Sequence, residues 1–226
     1  MKRAIRIAID GPSGSGKSTL GLALARRLGS AYVDTGAMYR AFAWKVLQAG
    51  AEGPDEILDL LAATEMTVNA DPDAFRVLVD GLDVTGYLRD PEVSSGASTV
   101  AVIPEVRDWL VALQRDLAKG SVVMEGRDIG TVVLPDADCK FFVVADEDVR
   151  IERRTAQWGG STRRVASRDV KERDQRDSSR KTSPLRAAAD AILIDTSEQS
   201  IDESLAIMLA ALQIDASGAL GEADSS

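Results

Sequence analysis

A glycine-rich loop at residues 11–18, with the sequence GPSGSGKS, constrains the fold of this chain more than any other feature. It is a complete G-x-x-x-x-G-K-[ST] motif, and an isoleucine-rich run at residues 4–9 just before it predicts a buried parallel strand. Leucines then recur every four residues up to Gly29, which predicts an amphipathic helix over residues 17–28. A strand, glycine loop and helix in this order form a cradle for phosphates, so the motif predicts binding of a nucleoside triphosphate.

The chemistry of this loop assigns roles to two of its side chains. Lys17 is expected to reach the terminal phosphates, and the Ser18 hydroxyl to bind Mg²⁺. The motif alone leaves a kinase, a GTPase and a motor protein open. A GTPase would normally carry an Asn-Lys-x-Asp motif to bind its base, and the sequence has no Asn-Lys pair, so an ATP-dependent phosphotransferase is favoured. The predicted ATP-binding residues are Gly11, Pro12, Ser13, Gly14, Ser15, Gly16, Lys17, Ser18 and Thr19.

Predicted strands and helices alternate over most of the chain, which indicates an α/β fold with a mainly parallel sheet. Further interior strands are predicted at residues 32–33, 122–124, 140–145 and 191–194, and helices at residues 55–63 and 104–119. Residues 66–84 differ, because alternating segments and turn signals there predict a small antiparallel hairpin sheet. We expect one domain over residues 1–214, with an insert at about 36–119, and a disordered acidic tail at 215–226.

Composition excludes several classes of function. The 226 residues include no histidine and one cysteine, Cys139, so a Cys/His zinc site and hydrolases with a catalytic histidine are excluded. The net charge of −9 argues against a general nucleic-acid binder, which needs a basic surface. No apolar run approaches the roughly 20 residues of a membrane span, so we expect a cytoplasmic protein without a membrane partner.

One segment is basic although the chain as a whole is acidic. Residues 150–181 hold eleven Lys or Arg and five Asp or Glu, a local charge of +6, which leaves −15 for the rest of the chain. So much local positive charge predicts a focused anionic ligand. With Gly159, Gly160 and Ser161 as a hinge, this lid segment is expected to close over ATP and exclude water. The alternative is a solvated charged helix with ion pairs four residues apart.

Four further motifs follow the glycine loop along the chain. They are D-[ST]-G-A-x-Y-R at 34–40, G-R-D-I-G-T-V-V-x-P-D-A at 126–137, R-x-x-R-R-x-x-Q at 150–157 and R-D-x-R-D-x-x-R at 173–180. Together with the loop they resemble the cytidylate kinases, a family of nucleoside monophosphate kinases, over about residues 4–212. The resemblance implies a P-loop kinase core with a parallel sheet flanked by helices. It also implies an inserted monophosphate-binding subdomain with a small antiparallel sheet, and an arginine-rich lid.

The same resemblance implies a reaction and a set of residues. ATP would phosphorylate CMP and dCMP by direct in-line transfer with Mg²⁺ as cofactor, and we expect a monomer. The implied catalytic residues are Lys17, Arg127, Arg153 and Arg154. The implied monophosphate-binding residues are Thr35, Arg40, Ser98, Arg107, Arg127, Asp128, Arg173, Asp177 and Arg180. Among these, Ser98, Arg107 and Asp128 would surround the cytosine.

Two of these arginines are also predicted without the family. Arg40 and Arg127 lie just beyond predicted strand ends, where open α/β sheets bind ligands, and a guanidinium group there can bind a phosphate through two hydrogen bonds. The alternative for each is a surface ion pair. A kinase of the same fold for UMP or a small metabolite stays open, and so does a P-loop protein that uses nucleotide only as a switch.

Two positions depart from the pattern of the family, and one further residue has no assigned role. Ser18 stands where many members have glycine, and Glu125 stands where others have aspartate. Neither change removes a function. Asp10, beside the glycine loop, is either a cap for a helix or loop or a group near the metal.

Overall fold

A computed structural model describes residues 3–157, 162–179 and 184–212, with the backbone alone for 177–179. The predictions for the hinge at 159–161, for Arg180 and for the tail at 215–226 lie outside the described residues. In chain order the strands are β1 (Arg6–Asp10), β2 (Ala31–Asp34), β3 (Met66–Asn69), β4 (Arg76–Val79), β5 (Leu82–Asp83), β6 (Val122–Gly126), β7 (Cys139–Val144) and β8 (Ile192–Asp195).

The helices in the described residues surround these strands. They are α1 (Lys17–Leu28), α2 (Thr35–Ala49), α3 (Pro54–Ala62), α4 (Pro91–Val100), α5 (Pro104–Leu117), α6 (Glu147–Gln157), α7 (Arg163–Ser179) and α8 (Ile201–Ala211). A short 3₁₀ helix forms at Thr85–Tyr87, and a π-helical turn forms at Ile129–Val133. No helix in the described ranges is both long and apolar enough to cross a membrane.

Five parallel strands form the central sheet, in the order β2-β6-β1-β7-β8. Side chains alternate between the two faces of a strand, so β1 contributes to two separate hydrophobic clusters. Ile7 and Ile9 pack with residues of α1 and α8, whereas Ala8 packs with Phe42 of α2 and Leu110 of α5. Helices cover both faces of the sheet, which confirms the predicted α/β fold.

Four of the five central strands extend one or two residues beyond their predicted carboxyl ends. The hydrogen-bond ladder continues past the last apolar residue, because Asp10 pairs with Gly126 and Asp34 with Glu125. The prediction relied on apolar side chains and therefore missed these polar positions. They are the residues that reach the edge of the sheet where a ligand can bind.

The predicted hairpin sheet is confirmed as β3, β4 and β5, which pair antiparallel. The turn between β4 and β5 contains Asp80 and Gly81, both with positive φ (51° and 79°), as a tight hairpin turn requires. Val77 and Val79 of β4 are buried in the cluster that also holds Phe42 of α2. The small sheet is therefore packed against the helix that follows β2.

Candidate active site

A cleft of about 300 Å³ lies at the carboxyl ends of β1, β2 and β6. It falls at the small end of the range for ligand pockets, and its lining is mostly polar and charged. Twelve of the residues predicted from the sequence line it: Ser13, Gly14, Lys17, Ser18, Thr35, Arg40, Ser98, Arg107, Arg127, Asp128, Arg154 and Arg173. The sheet therefore brings the glycine loop and most of the expected acceptor residues into one cavity.

The remaining predicted residues lie elsewhere. Gly11, Pro12, Ser15, Gly16 and Thr19 belong to the glycine loop or to the start of α1 without lining the cleft. Arg153 also lies outside the lining, although it contacts the loop. Asp177 is in α7 with its side chain outside the described set, and Arg180 lies beyond the described part of α7.

The glycine loop owes its shape to backbone conformations that favour glycine. Gly14 and Gly16 have φ of 78° and 87°, in the left-handed region, and α1 begins directly after Gly16. At Gly11 a Cβ atom would lie only 2.1 Å from the carbonyl oxygen of Val143 on β7. The loop can therefore cross the end of the sheet only with glycine at this position.

Glu125, at the end of β6, connects the two side chains of the loop that carry chemistry. Its Oε1 accepts a hydrogen bond of 2.6 Å from the Ser18 hydroxyl, and its Oε2 lies 3.8 Å from the Lys17 ammonium nitrogen. Burial raises the pKa of Glu125, and the nearby Asp34 carboxylate raises it further, while Lys17 lowers it. Glu125 also lines the cleft.

These residues fit a magnesium ion. Mg²⁺ prefers hard oxygen ligands and keeps several waters, and the Ser18 hydroxyl and the Glu125 carboxylate supply such oxygens side by side. The carboxylate of Asp34 lines the same cleft. Within the described ranges no three His, Cys, Asp or Glu residues form a metal cluster, so an ion here would depend on phosphate oxygens as well.

On the other side of the cleft, Arg107 of α5 and Asp128 form a buried ion pair, with Nη2 2.5 Å from Oδ2. Both residues line the cavity together with Ser98 of α4. Arg107 is carried on the first turn of its helix, and Asp128 lies just before the π-helical turn. The pair offers a guanidinium donor and a carboxylate acceptor next to each other, which is suited to a planar polar ligand.

Two further groups fix the edge of the cleft near β2. The Asp34 carboxylate caps α2 by accepting from the backbone N–H of Ala37, and it also accepts a 2.8 Å hydrogen bond from Arg40. The hydroxyl of Thr35 donates to the carbonyl oxygen of Glu125 at 2.8 Å. Arg40 is thereby held with its guanidinium at the cavity.

Asp10 at the end of β1 does not line the cleft. Its two carboxylate oxygens accept hydrogen bonds of 2.8 Å from the backbone N–H groups of Ile129 and Gly130. Burial raises the pKa of Asp10 to about 6 despite these bonds, with Asp128 raising it and Arg127 lowering it. The sequence left two roles open for Asp10, a cap for a helix or loop and a group near the metal. These contacts with the first N–H groups of the π-helical turn are those of a cap.

The lid segment contributes two arginines that face the cavity. Asp169 of α7 bridges them, because its carboxylate accepts from Arg154 at 2.9 Å and from Arg173 at 3.1 Å. Burial, together with the positive charge of Arg154 beside it, lowers the pKa of Arg173 to about 10. Asp169 was not among the residues predicted from the sequence. The one signal for its contact with Arg173 is the spacing of four residues, which places the two side chains on the same face of a helix.

Two other arginines of α6 hold the outer side of the glycine loop. Arg150 donates to the carbonyl oxygen of Ser13 at 3.3 Å and forms an ion pair of 2.7 Å with Asp174 of α7. Arg153 contacts the carbonyl of Gly14 at 3.4 Å, and its guanidinium also binds Thr196. The lid segment is therefore in contact with the loop from behind as well as facing the cleft.

A family model described as cytidylate kinase matches residues 7–214. A cytidylate kinase of Desulfitobacterium hafniense is 50% identical over 210 residues, with 90% of each chain covered. A cytidylate kinase of Nocardia farcinica is 47% identical over 205 residues, covering 87% of this chain and 88% of the relative.

Solved structures add support for the fold alone. An uncharacterised protein from Eubacterium ventriosum matches with a TM-score of 0.54 at 17% identity, covering 92% of this chain and 98% of that one. The arrangement of strands and helices is thus shared with a distant chain.

Proposed function

This chain belongs to the cytidylate kinase family, and from that we propose that it transfers the γ-phosphoryl group of ATP to CMP or dCMP. An oxygen of the acceptor 5′-phosphate forms a bond to the γ-phosphorus as the bond from that phosphorus to the β–γ bridging oxygen breaks. The products are ADP and CDP or dCDP. One observation carries the proposal beyond the names of relatives, namely that the glycine loop and the Arg107–Asp128 pair line a single cavity.

The glycine loop would hold the donor nucleotide. Its backbone N–H groups and the start of α1 favour negative charge, and the ammonium group of Lys17 lies among them, 3.2 Å from the Pro12 carbonyl oxygen. This contact and the one to Glu125 keep Lys17 folded against the loop. On binding ATP, the ammonium group would exchange the Pro12 carbonyl for oxygens of the terminal phosphates.

Magnesium belongs to the proposal as the cofactor of the donor. Ser18 and Glu125 are the residues that would hold it, Ser18 through its hydroxyl and Glu125 through the carboxylate 2.6 Å away. When bound, the ion neutralises phosphate charge and orients the β- and γ-phosphoryl oxygens. Ser18 and Glu125, the two positions that depart from the family pattern, therefore contact each other directly.

The acceptor base would lie against the Arg107–Asp128 pair. Cytosine presents an exocyclic amine beside the N3 and O2 acceptors, so a carboxylate can accept from the amine while a guanidinium donates to the ring. Ser98 adds a hydroxyl to the same wall. Since both members of the pair are buried, an ill-matched base would leave polar groups without partners.

The acceptor phosphate would lie among the arginines between the two halves of the cleft. Arg40 comes from α2 and Arg127 directly follows β6, while Arg154 and Arg173 come from the lid segment. The pKa of Arg173 is lowered by burial and by Arg154, so an anion placed here would relieve repulsion among the cations. The acceptor is already an anion near neutral pH, so the transfer needs no strong base, and the task is alignment and charge neutralisation.

Closure of the lid segment would complete the site. Arg154 and Arg173 are already paired through Asp169, and Arg153 touches the loop at Gly14. Bringing α6 and α7 closer would exclude water, which competes with CMP as acceptor. Arg153 does not line the cavity, so in this proposal it would reach the phosphates only when the lid segment closes. Asp177 and Arg180 stay predicted contacts of the acceptor.

An acceptor panel tests the proposal. ADP release is measured with MgATP alone and with CMP, dCMP, UMP and AMP, under identical conditions. We expect fast release with CMP and dCMP and slow release with the others. Slow hydrolysis independent of any acceptor would instead identify a nucleotide switch, and preference for another acceptor would retain the kinase and reject the cytosine assignment. The single-domain boundaries, the monomeric state, the absence of a nucleic-acid partner and the cytoplasmic location stay predictions.

A further inference from the structure

Asp10 connects the two halves of the cleft without lining it. It is the last residue of β1, so Gly11 of the glycine loop follows it directly. Its side chain reaches across to the π-helical turn that follows β6, where it accepts from Ile129 and Gly130, the residues directly after Asp128. One carboxylate therefore joins the backbone of the donor loop to the backbone of the segment at 126–130, which we name the acceptor loop.

The acceptor loop connects the end of a strand to the start of a helical turn. It leaves β6 at Gly126 and enters the π-helical turn at Ile129, with Arg127 and Asp128 between. The first two N–H groups of that turn are the ones that Asp10 binds, so the carboxylate fixes where the turn begins. π-Helical turns are uncommon and often lie at functional sites. A shift in the start of this turn would move the side chains of Arg127 and Asp128, which directly precede it.

We propose that Asp10 is a positioning residue that holds the acceptor loop at a fixed distance from the donor loop, and so aligns CMP with the γ-phosphate of ATP. This inference rests on the proposed function. In-line transfer requires the reacting atoms to approach to about 3 Å, and errors of 1 Å can lower the rate by about a hundredfold. A bond from the strand that carries one loop to the backbone of the other controls that alignment directly.

The surroundings of Asp10 support a role for its ionised form. Only the carboxylate can accept from two N–H groups with both oxygens; a protonated carboxyl group turns one oxygen into a donor. Asp128 and Arg127 are the charged groups facing it from the acceptor loop. From β7, Lys140 packs its aliphatic part near Gly130 and directs its ammonium group to Pro135 and Asp190. With the pKa raised to about 6, Asp10 titrates within a range that kinetics can cover.

The test compares Asp10→Asn with the wild type and with Asp138→Asn as a matched control. Asp138 also accepts a backbone N–H bond of 2.8 Å, from Arg6, but lies at the opposite end of the sheet. At pH 7 and saturating MgATP, Asp10→Asn should raise KM for CMP at least fivefold and lower kcat. The affinity for a non-hydrolysable ATP analogue, measured by calorimetry, should change less than twofold. The control should match the wild type in all three quantities.

A pH series separates positioning from a general loss of structure. A phosphomonoester acceptor also titrates near pH 6, so the Asp10→Asn profile supplies the baseline for that ionisation. Between pH 7.5 and 5.5, the wild-type KM for CMP should approach that of the variant, because protonation removes the same acceptor. Parallel profiles, or equal losses of CMP and ATP affinity, would overturn the proposal.

A second measurement needs no variant and keeps the inference testable if Asp10→Asn does not fold. In the wild type, hydrogen exchange of the Ile129 and Gly130 amides, corrected for intrinsic rate, should be faster at pH 5 than at pH 7. Unchanged protection of both amides would reject the positioning role. Failure of the proposed function has a different signature, since the wild type itself would then not phosphorylate CMP.

Discussion

Arg107 and Asp128 form an ion pair of 2.5 Å that is buried at the cleft although the two residues come from different elements, α5 and the loop after β6. Uracil would set its O4 against the Asp128 carboxylate and its N3–H against the donor-only arginine. Each unpaired buried group costs about 1–3 kcal/mol. We therefore predict a preference for CMP over UMP of at least about a hundredfold in kcat/KM.

The variants Asp128→Ala and Arg107→Met should lower the activity with CMP and narrow that preference. The measurement is the ratio of kcat/KM for CMP to kcat/KM for UMP, taken from steady-state kinetics of each variant. Asp116→Ala is the control on the same helix, because its exposed carboxylate pairs only with Lys119 in the described contacts. An unchanged ratio in both test variants would show that other residues recognise the base.

Removal of the Lys17 ammonium group should abolish transfer and leave the fold intact. In Lys17→Ala the charge that stabilises the terminal phosphates in the transition state is lost, and each tenfold loss of rate corresponds to about 1.4 kcal/mol. The measurement is kcat at saturating ATP and CMP, with far-UV circular dichroism as the check on folding. Lys119→Ala, at an exposed lysine, should be fully active. Activity above about a tenth of the wild type would contradict the role of Lys17.

The lid segment should become protected when nucleotide binds. Arg154 and Arg173 face the cleft, and Arg150 and Arg153 contact the loop, so phosphates would add anionic partners to a cationic cluster. Hydrogen exchange followed by mass spectrometry should show protection of peptides from residues 150–181 with ATP or a bisubstrate analogue. Peptides from α8, on the far side of the sheet, are the internal control. Equal exchange in free and bound protein would argue against a lid.

Ionised Asp10 should reduce the stability of the fold. Its pKa is raised on folding, so its contribution to stability is present in full below the ordinary value of 3.8 and is lost as the pH rises through about 6. The difference between these values corresponds to about 3 kcal/mol. From pH 4.5 to pH 7, urea unfolding should show the wild type losing stability relative to Asp10→Asn. A difference between the two proteins that is constant with pH would contradict the raised pKa.

The sequence predicts the elements that depend on local pattern. Residues 11–18 and the leucine spacing after them locate the loop and α1, and the Asp80-Gly81 turn locates the hairpin. The order of the central sheet is a different case, because β6 lies between β2 and β1 although more than eighty residues separate it from either. Pairing at such distance depends on crossover connections that no local pattern records.

Two elements at the cleft contradict their local propensity. Helix α4 (Pro91–Val100) is rich in serine and contains Gly96, and Gly96 is tolerated because it packs closely on Ala43 and Leu47 of α2. The π-helical turn at Ile129–Val133 is a β-branched run that resembles a strand. Tertiary contacts determine both, and the bonds from Asp10 are among them.

The partners of the functional side chains were the least predictable part of the site. The motifs locate Arg154 and Arg173, but the carboxylate that links them, Asp169, is one of several acids in the lid segment. Likewise, the contact of Ser18 with Glu125 joins residues 107 positions apart. Such pairs follow from the packing of helices and strands, which the linear pattern does not contain.

The most direct test of the account is the fate of the γ-phosphoryl group itself. Wild-type protein is incubated with Mg²⁺, CMP and ATP labelled at the γ-phosphate, and the products are separated and identified. We predict that the label appears in the β-phosphate of CDP in a one-to-one ratio with ADP formed, and that Lys17→Ala forms neither. Label found as inorganic phosphate at a rate independent of CMP would contradict the assignment of this cleft to phosphoryl transfer between nucleotides.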